Sequence, residues 1–229
     1  MSASRSFQPT AQTLSGIGLF KGLSIEDREE IAERCEGLVL PAGAELFPAG
    51  DPSRDVYCIV SGLVRVTTIA GGKEVSFTEH GPSETVGLLA AIDGAGRSAS
   101  ALIVESASIL KLSEEQFWAV FDGYQSVSRG IMKDLVDMVR RLSDRVVEFS
   151  TASVRQRIHA ELLRLAEVDA DGSQVIEPMP RHADIASRIS THREAVSREL
   201  SQLESDGVLE RGRNRVVIKD PARLAETGT

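Results

Sequence analysis

The chain has 229 residues, of which 41% are hydrophobic and 26% are charged, as in globular proteins with one large or two modest domains. It contains no run of about 18 apolar residues, and its first residues lack the apolar core of a signal peptide, so we expect neither a membrane span nor secretion. Cys35 and Cys58 are too few for a disulfide framework and belong to no CxxC motif, which favours a reducing cytoplasm.

Charge is unevenly distributed along the chain, whose net charge is −8. Residues 1–150 hold 14 Lys and Arg against 21 Asp and Glu, whereas residues 151–229 hold 12 against 13. The C-terminal part is therefore nearly neutral. Local arginines in that part can serve an anionic partner despite the acidic total.

Residues 14–122 are predicted to form a first domain that consists mainly of short strands. At its start, Ser24 is placed to cap a helix that buries Ile31. From Leu38 to Leu112, short alternating apolar runs are separated by turn residues at 41–43, 50–51, 62, 71–72 and 81–82. This spacing predicts an antiparallel barrel or roll, which would serve either as a ligand pocket or as a dimerising scaffold.

Small barrels also include metal-dependent enzymes of the cupin type. Such a site needs several histidines and a carboxylate that converge inside the barrel. His80 is the only histidine between residues 38 and 112. We therefore expect neither a metal site nor an enzyme.

A candidate anion site begins at Gly87. This glycine precedes an apolar turn of predicted helix that includes Leu88 and Leu89, and Arg97 and Ser98 follow a glycine-rich link. Backbone N–H groups at a helix N-terminus, together with an arginine and a hydroxyl, suit an anion of phosphate size. The alternative is an ordinary exposed arginine on a surface loop.

Residues 123–150 are predicted to form one long helix with an apolar seam. The seam residues are spaced by four, three, four and seven, which is typical of a coiled coil, and Arg145 lies between the last two. We expect the helix to form a homodimer, although a core-facing helix in a monomer would have the same pattern. The predicted dimer contacts are Ile131, Leu135, Met138, Leu142 and Phe149.

Residues 151–229 are predicted to form a second domain with a helix-turn-helix. A short helix ends at a turn around Ser190, and Thr191 is expected to cap the next helix with Glu194 completing a capping box. The exposed face near the start of that second helix is the part that a helix-turn-helix presents to base edges in the major groove. The alternative is a solvated face on which Glu194 pairs with Arg198 at i,i+4.

Two short apolar runs after Gly207 predict a β-hairpin wing whose polar tip can touch phosphates. A helix-turn-helix followed by a wing indicates a DNA-binding module. Because the chain as a whole is not basic, binding should depend on sequence and weaken readily with salt. The predicted DNA contacts are Arg181, Thr191, His192, Arg193, Glu194, Ser197, Arg198 and Arg213.

In the order and spacing of these motifs, the chain resembles the CRP/FNR family of bacterial transcription regulators from about Leu19 to Leu224. The stretches that carry the resemblance are LFKGLS (19–24), FPAGD (47–51), VYCIVSGLVRV (56–66), RSA (97–99), RQRIHAELLRLA (155–166), ADIASRI (183–189) and REAVSRELSQLESDGVLE (193–210). The resemblance implies an α+β fold with an N-terminal antiparallel β-roll of the cyclic-nucleotide-binding type, a long dimerisation helix and a C-terminal winged helix-turn-helix.

The resemblance also assigns roles to residues of the second domain. Arg193, Glu194 and Arg198 match the family positions that read bases, and Ser197 matches a serine of the oxygen-responsive members. Together they imply a palindromic site with half-sites similar to TGTGA or TTGA.

In the first domain, Arg97 and Ser98 match the residues that hold the cyclic phosphate in cAMP-responsive members. Leu88 replaces the glutamate that bonds the ribose 2′-hydroxyl there, and leucine cannot accept that bond. Arg145 and Val146 replace small hydroxyl residues that reach the adenine. A cyclic nucleotide (cAMP or cGMP) thus stays a candidate effector with two of three anchors missing.

We therefore predict a cytoplasmic, homodimeric regulator that binds double-stranded promoter DNA and works with RNA polymerase. A small effector in the β-roll would modulate it. The Gly87–Leu89 stretch, Arg97, Ser98 and Arg145 are the expected effector contacts. The alternative function is that of a cyclic-nucleotide-binding interaction module with little DNA-binding role.

Overall fold

The structure is a computed structural model that describes residues 5–70, 73–170 and 172–226. The chain divides into two compact units, residues 1–138 and 139–229, and one helix continues across the division. The predicted domain boundaries at 122/123 and 150/151 stay predictions. The predicted turn at 71–72 lies outside the described residues, as do the first four and last three residues.

The first unit is an antiparallel β-roll flanked by short helices. Its strands are β1 Arg5–Phe7, β2 Glu36–Leu40, β3 Glu45–Phe47, β4 Val56–Ala70, β5 Lys73–His80, β6 Thr85–Val86 and β7 Ser100–Leu112. They form a sheet of order β1-β2-β7-β4-β5, with β3 paired to β7 and β6 paired to β4. The helices are α1 Ala11–Ser15, a 3-10 turn Gly18–Phe20, α2 Ile25–Glu33, α3 Leu88–Asp93 and α4 Glu114–Gly123.

Local sequence signals account for several of these elements. The Ser24 hydroxyl accepts the Asp27 N–H at 3.0 Å and the Asp27 carboxylate accepts the Ser24 N–H at 3.3 Å, so the predicted cap of α2 is confirmed. Two apolar clusters hold the roll, one inside it and one beneath the flanking helices. Fully buried members of the two clusters are Leu14, Phe20, Ile31, Ile59, Ile109, Leu110 and Leu112.

The long helix α5 spans Gln125–Thr151, and its apolar residues include a buried group and an exposed group. Val127 and Ile131 are 1% exposed and pack into the core of the β-roll unit. The prediction that Ile131 contacts a second copy is therefore wrong. The reason is that the apolar stripe of α5 is wide. The spacing of its residues does not show which side of the stripe packs against the helix's own domain and which side is exposed. The exposed apolar residues are Met132, Val136, Val139, Leu142, Val146 and Val147.

The second unit continues from the end of α5 as a winged helix-turn-helix. Its elements are α6 Val154–Leu165, β8 Glu167–Val168, β9 Gln174–Ile176, α7 His182–Arg188, α8 Arg193–Ser205, β10 Leu209–Arg211, β11 Val216–Ile218 and α9 Pro221–Glu226. The four strands form an antiparallel sheet of order β10-β11-β9-β8. Its core residues include Ile158, Leu162, Ile185, Val196, Leu200, Val208 and Val216. None of the described helices has the length and apolar character to cross a bilayer.

Leu162→Ala should destabilise the second unit by about 2–5 kcal/mol, because Leu162 is 0% exposed and its removal leaves a cavity. Urea unfolding followed by far-UV circular dichroism measures this loss. The fluorescence of Trp118, the single tryptophan, reports the first unit separately. As a control in the same unit, Val168→Ala should change stability by less than about 0.5 kcal/mol, since Val168 is 72% exposed. Equal losses for the two variants would contradict the burial.

Candidate functional site

The first turns of α8 carry exposed charged side chains, and the contacts of these side chains decide whether they can bind DNA. Arg193, Glu194 and Arg198 are exposed. Within the described part of the chain, none of these three side chains makes a hydrogen bond or an ion pair. The alternative interpretation, in which Glu194 pairs with Arg198, is therefore wrong. These side chains remain available to a partner.

The start of α8 differs from the prediction. The helix begins at Arg193 after the N-cap residue His192, whose side chain makes no capping hydrogen bond, so the predicted capping box of Thr191 and Glu194 is wrong. The reason lies in the turn, where Ser190 adopts a left-handed φ of 52° and shifts the helix start towards the C-terminus. Half-buried Thr191 instead donates its backbone N–H to Ala186. The Glu194 carboxylate is consequently not used as a cap.

Two further predicted DNA contacts lie at the ends of the two helices. Arg181, at the N-cap of α7, is 85% exposed and its Nε lies 3.0 Å from the Asp184 carboxylate. His192 is exposed at the N-cap of α8. Both residues thus lie on the surface of the helix-turn-helix, where a phosphate can reach them.

A contact that the sequence did not reveal joins the two helices. His182, the first residue of α7, has its Nδ1 2.7 Å from the Ser197 hydroxyl on α8. Burial lowers the pKa of the His182 imidazole, and the positive charges of Arg211 and Arg193 lower it further. The ring is therefore neutral near pH 7. His182 and Ser197 are 15 positions apart in the sequence and lie on different helices, so no local sequence pattern predicts their contact.

The wing has three arginines with different surroundings. Arg211 lies 3.5 Å from a carboxylate oxygen of Glu204, and Arg215 lies 2.7 Å from one of Asp169. Arg213 is exposed at the tip of the hairpin and has no ion pair among the described residues. Of these three arginines, Arg213 is therefore the one placed to contact a phosphate without breaking an ion pair.

In the β-roll, Arg97 is buried and engaged by the protein's own oxygen atoms. Its side chain is 3% exposed, so the alternative of an arginine on a surface loop is wrong. Nε donates to the Ser53 hydroxyl at 3.2 Å, Nη1 to the Gly87 carbonyl at 3.2 Å, and Nη2 to the Asp55 carbonyl at 2.8 Å. The guanidinium also stacks on Phe47, 4.1 Å from the ring centroid. An incoming anion would have to displace these contacts.

The residues next to Arg97 in the structure leave room for its guanidinium group or pack into the core beside it. Gly87 has a φ of 90°, and a Cβ atom at this position would lie 2.7 Å from Arg97 Nη1. Leu88 is 4% exposed and belongs to the apolar core, whereas Leu89 is 44% exposed. Ser98 is exposed. The predicted effector residues are thus close in sequence, but Arg97 and Leu88 are occupied with the protein's own structure.

Arg145, the remaining predicted effector contact, belongs to the second unit. Its guanidinium donates to the backbone carbonyl of Arg188, at the end of α7, and lies 5.4 Å from the ring of Phe149. Glu161 is 3% exposed and forms ion pairs with Arg164 at 2.5 Å and Arg188 at 3.3 Å. We call these five residues the helix-end clasp. The guanidinium of Arg145 is thus engaged in the clasp, and its effector role stays a prediction.

Comparison with known proteins identifies the family. A model of the cyclic nucleotide-binding domain matches residues 38–124, and a model of the Crp-like helix-turn-helix domain matches residues 156–227. The cyclic AMP receptor protein of Thermus thermophilus is 30% identical over 216 residues, which cover 93% of this chain and 97% of that protein. The chain belongs to the CRP/FNR family. It is a DNA-binding transcription regulator, a class that works as dimers, and its first unit is of the cyclic-nucleotide-binding type.

Solved structures of low sequence identity show the same fold. A mutant of CooA from Carboxydothermus hydrogenoformans superposes with a TM-score of 0.76 and 18% identity over 98% of both chains. CLP, the c-di-GMP responsive global regulator of Xanthomonas campestris, gives a TM-score of 0.75 at 18% identity and covers 85% of this chain and 99% of its own. The predicted α+β architecture is thereby confirmed. Among the described residues, no cluster of His, Cys, Asp or Glu is placed to hold a metal ion.

Gly87→Ala should destabilise the first unit by about 1–3 kcal/mol, because alanine is strained at positive φ and its Cβ would push Arg97 from its site. Unfolding in urea followed by Trp118 fluorescence measures the effect, since the Trp118 indole donates to the carbonyl of Ala91 in the adjoining α3. Gly43→Ala is the matched control, because Gly43 also has a left-handed φ of 84° and its added Cβ would have no atom within 4 Å beyond its chain neighbours. Equal stability of the two variants would contradict the proposed packing.

Proposed function

We propose that this regulator binds a palindromic promoter site through Arg193, Glu194, Ser197 and Arg198 of each protomer, and that it binds without a cyclic nucleotide. The exposed and uncommitted state of three of these side chains carries the proposal. A guanidinium can bond guanine O6 and N7 together, and a carboxylate can accept from cytosine N4. The half-sites expected for this combination are similar to TGTGA or TTGA.

Phosphate contacts would orient each recognition helix on the duplex. Arg181, Thr191 and His192 lie at the starts of α7 and α8, and Arg213 lies at the wing tip. Contacts of this kind fix register without distinguishing sequence, and they make binding sensitive to salt. Specificity would therefore come from the α8 face alone.

The exposed apolar stripe of α5 supports a dimer seam in a corrected register. Met132, Val136, Val139 and Val146 are each 49–64% exposed and are spaced by four, three and seven. This is the spacing of a coiled-coil seam. Of the predicted contacts, Leu142 is exposed beside the stripe, Leu135 and Met138 are half-buried, and Phe149 belongs to the helix-end clasp.

A cyclic nucleotide does not fit the residues of the β-roll. Its phosphate would need Arg97, which is buried against the oxygens of Ser53, Asp55 and Gly87. Its ribose would need an acceptor where Leu88 is packed into the core. We therefore propose that neither cAMP nor cGMP is the effector of this protein. Contact with RNA polymerase and a cytoplasmic location stay predictions.

The alternative function, an interaction module with little DNA-binding role, is less well supported. It leaves unused the exposed Arg193, Glu194 and Arg198, which lie where a helix-turn-helix presents side chains to base edges.

Arg198→Ala should weaken specific binding by roughly 1–3 kcal/mol for each half-site contact, because a bidentate bond to a base is lost. Fluorescence anisotropy with a TGTGA-type palindrome and a scrambled duplex measures the difference. Lys21→Ala, an exposed change in the first unit, is the control and should leave both affinities unchanged. If the Arg198 variant still distinguished the two duplexes as well as the wild type, Arg198 would not read a base.

Adding cAMP or cGMP to the same titration should change the affinity for the palindrome by less than about twofold, because neither nucleotide has its anchors. Ligands that couple to DNA binding typically change affinity by about 5–150-fold. The T. thermophilus cyclic AMP receptor protein, assayed in parallel on its own site, controls for nucleotide quality. Tightening within that coupled range would contradict nucleotide-independent binding.

A further inference from the structure

Three hydroxyl groups of the long helix α5 bond to the backbone of their own helix. The hydroxyls of Ser143, Ser150 and Thr151 in α5 each donate to the carbonyl four residues earlier, at 2.7–2.9 Å. A hydroxyl bonded in this way has its proton occupied and lies against the helix. It is then poorly placed to bond to a base.

The Ser197 hydroxyl on the recognition helix differs from these three. Its partner is Nδ1 of His182, at 2.7 Å, and it has no bond to the carbonyl of Arg193 in the described structure. His182 begins α7, which packs against α8 through buried Ile185 and Val196. The imidazole therefore holds the hydroxyl from outside α8, and both side chains are only half-buried.

We propose that His182 is a specificity-determining residue, which acts by holding the Ser197 hydroxyl away from its own helix and towards a base edge. This proposal rests on the proposed function, since Ser197 must face DNA for His182 to matter. A free serine rotates among staggered positions and bonds to any base with a donor or acceptor. Holding it in one position lets it distinguish one base pair from others.

The surroundings of His182 agree with a positioning role. Arg193 and Arg211 lie close enough to influence the ring, and Arg198 follows Ser197 directly on the exposed side of α8. A neutral imidazole has one nitrogen that donates and one that accepts, so it can bond to a hydroxyl without adding charge to this face. His182 would thus be a positioning residue that acts through Ser197.

The test starts from an operator that the wild-type dimer selects from duplexes with a randomised core. Every base pair of one half-site is then replaced in turn, and binding is measured by anisotropy. Ser197→Ala should lower discrimination at one position by roughly fivefold, the effect of one hydrogen bond. His182→Ala should lower discrimination at the same position by the same factor, because the hydroxyl then bonds to its own helix.

Three further variants separate positioning from a general structural effect. The double variant His182→Ala, Ser197→Ala should be no worse than either single one, because His182 acts only through Ser197. His182→Asn keeps a polar atom at the place of Nδ1 and should restore discrimination. Ser201→Ala, an exposed change one turn further along α8, should leave that position unaffected.

The outcomes distinguish failure of this inference from failure of the proposed function. If the wild type selects no sequence, the proposed function fails. If the wild type selects a sequence and His182→Ala keeps full discrimination at the Ser197 position, only the role of His182 fails. Equal weakening on every duplex, scrambled DNA included, would show a structural role and would also overturn the inference.

Discussion

The buried carboxylate of Glu161 is the charge on which the geometry of the second unit depends. Taking a carboxylate out of water costs several kcal/mol unless it is paired, so its ion pairs with Arg164 and Arg188 must persist in the folded state. Arg188 ends α7, and its carbonyl also accepts from Arg145 near the end of α5. One compensated charge therefore fixes the long helix against the turn that precedes the recognition helix.

The long helix is consequently secured at both ends by different physical means. Near its start, Val127 and Ile131 are packed into the apolar core of the β-roll. Near its end, the helix-end clasp holds it through charge and hydrogen bonds. An apolar contact tolerates small slippage, whereas a buried charge tolerates little loss of its partner.

The sequence predicted the fold well because alternation, turn residues and helical spacing are local signals. It failed where the outcome depends on distant groups. The Thr191 cap was wrong because Ser190 adopts a left-handed backbone, and the dimer role of Ile131 was wrong because spacing does not tell which edge of a stripe is buried. Arg97 and His182 show the same limit, since their partners lie 10–44 and 15 residues away in the chain.

Some arginines of the protein are paired and others are not. This difference explains how an acidic chain can bind DNA. The side chains of Arg97, Arg145 and Arg188 are engaged with internal oxygens, whereas the guanidinium groups of Arg193 and Arg198 have no hydrogen bond or ion pair among the described residues. An arginine that is already paired would have to break that pair before contacting DNA. Because Arg193 and Arg198 are unpaired, DNA binding does not have to break an ion pair at either residue. Their guanidinium groups determine the local electrostatic field, so DNA can bind there although the net charge of the chain is −8.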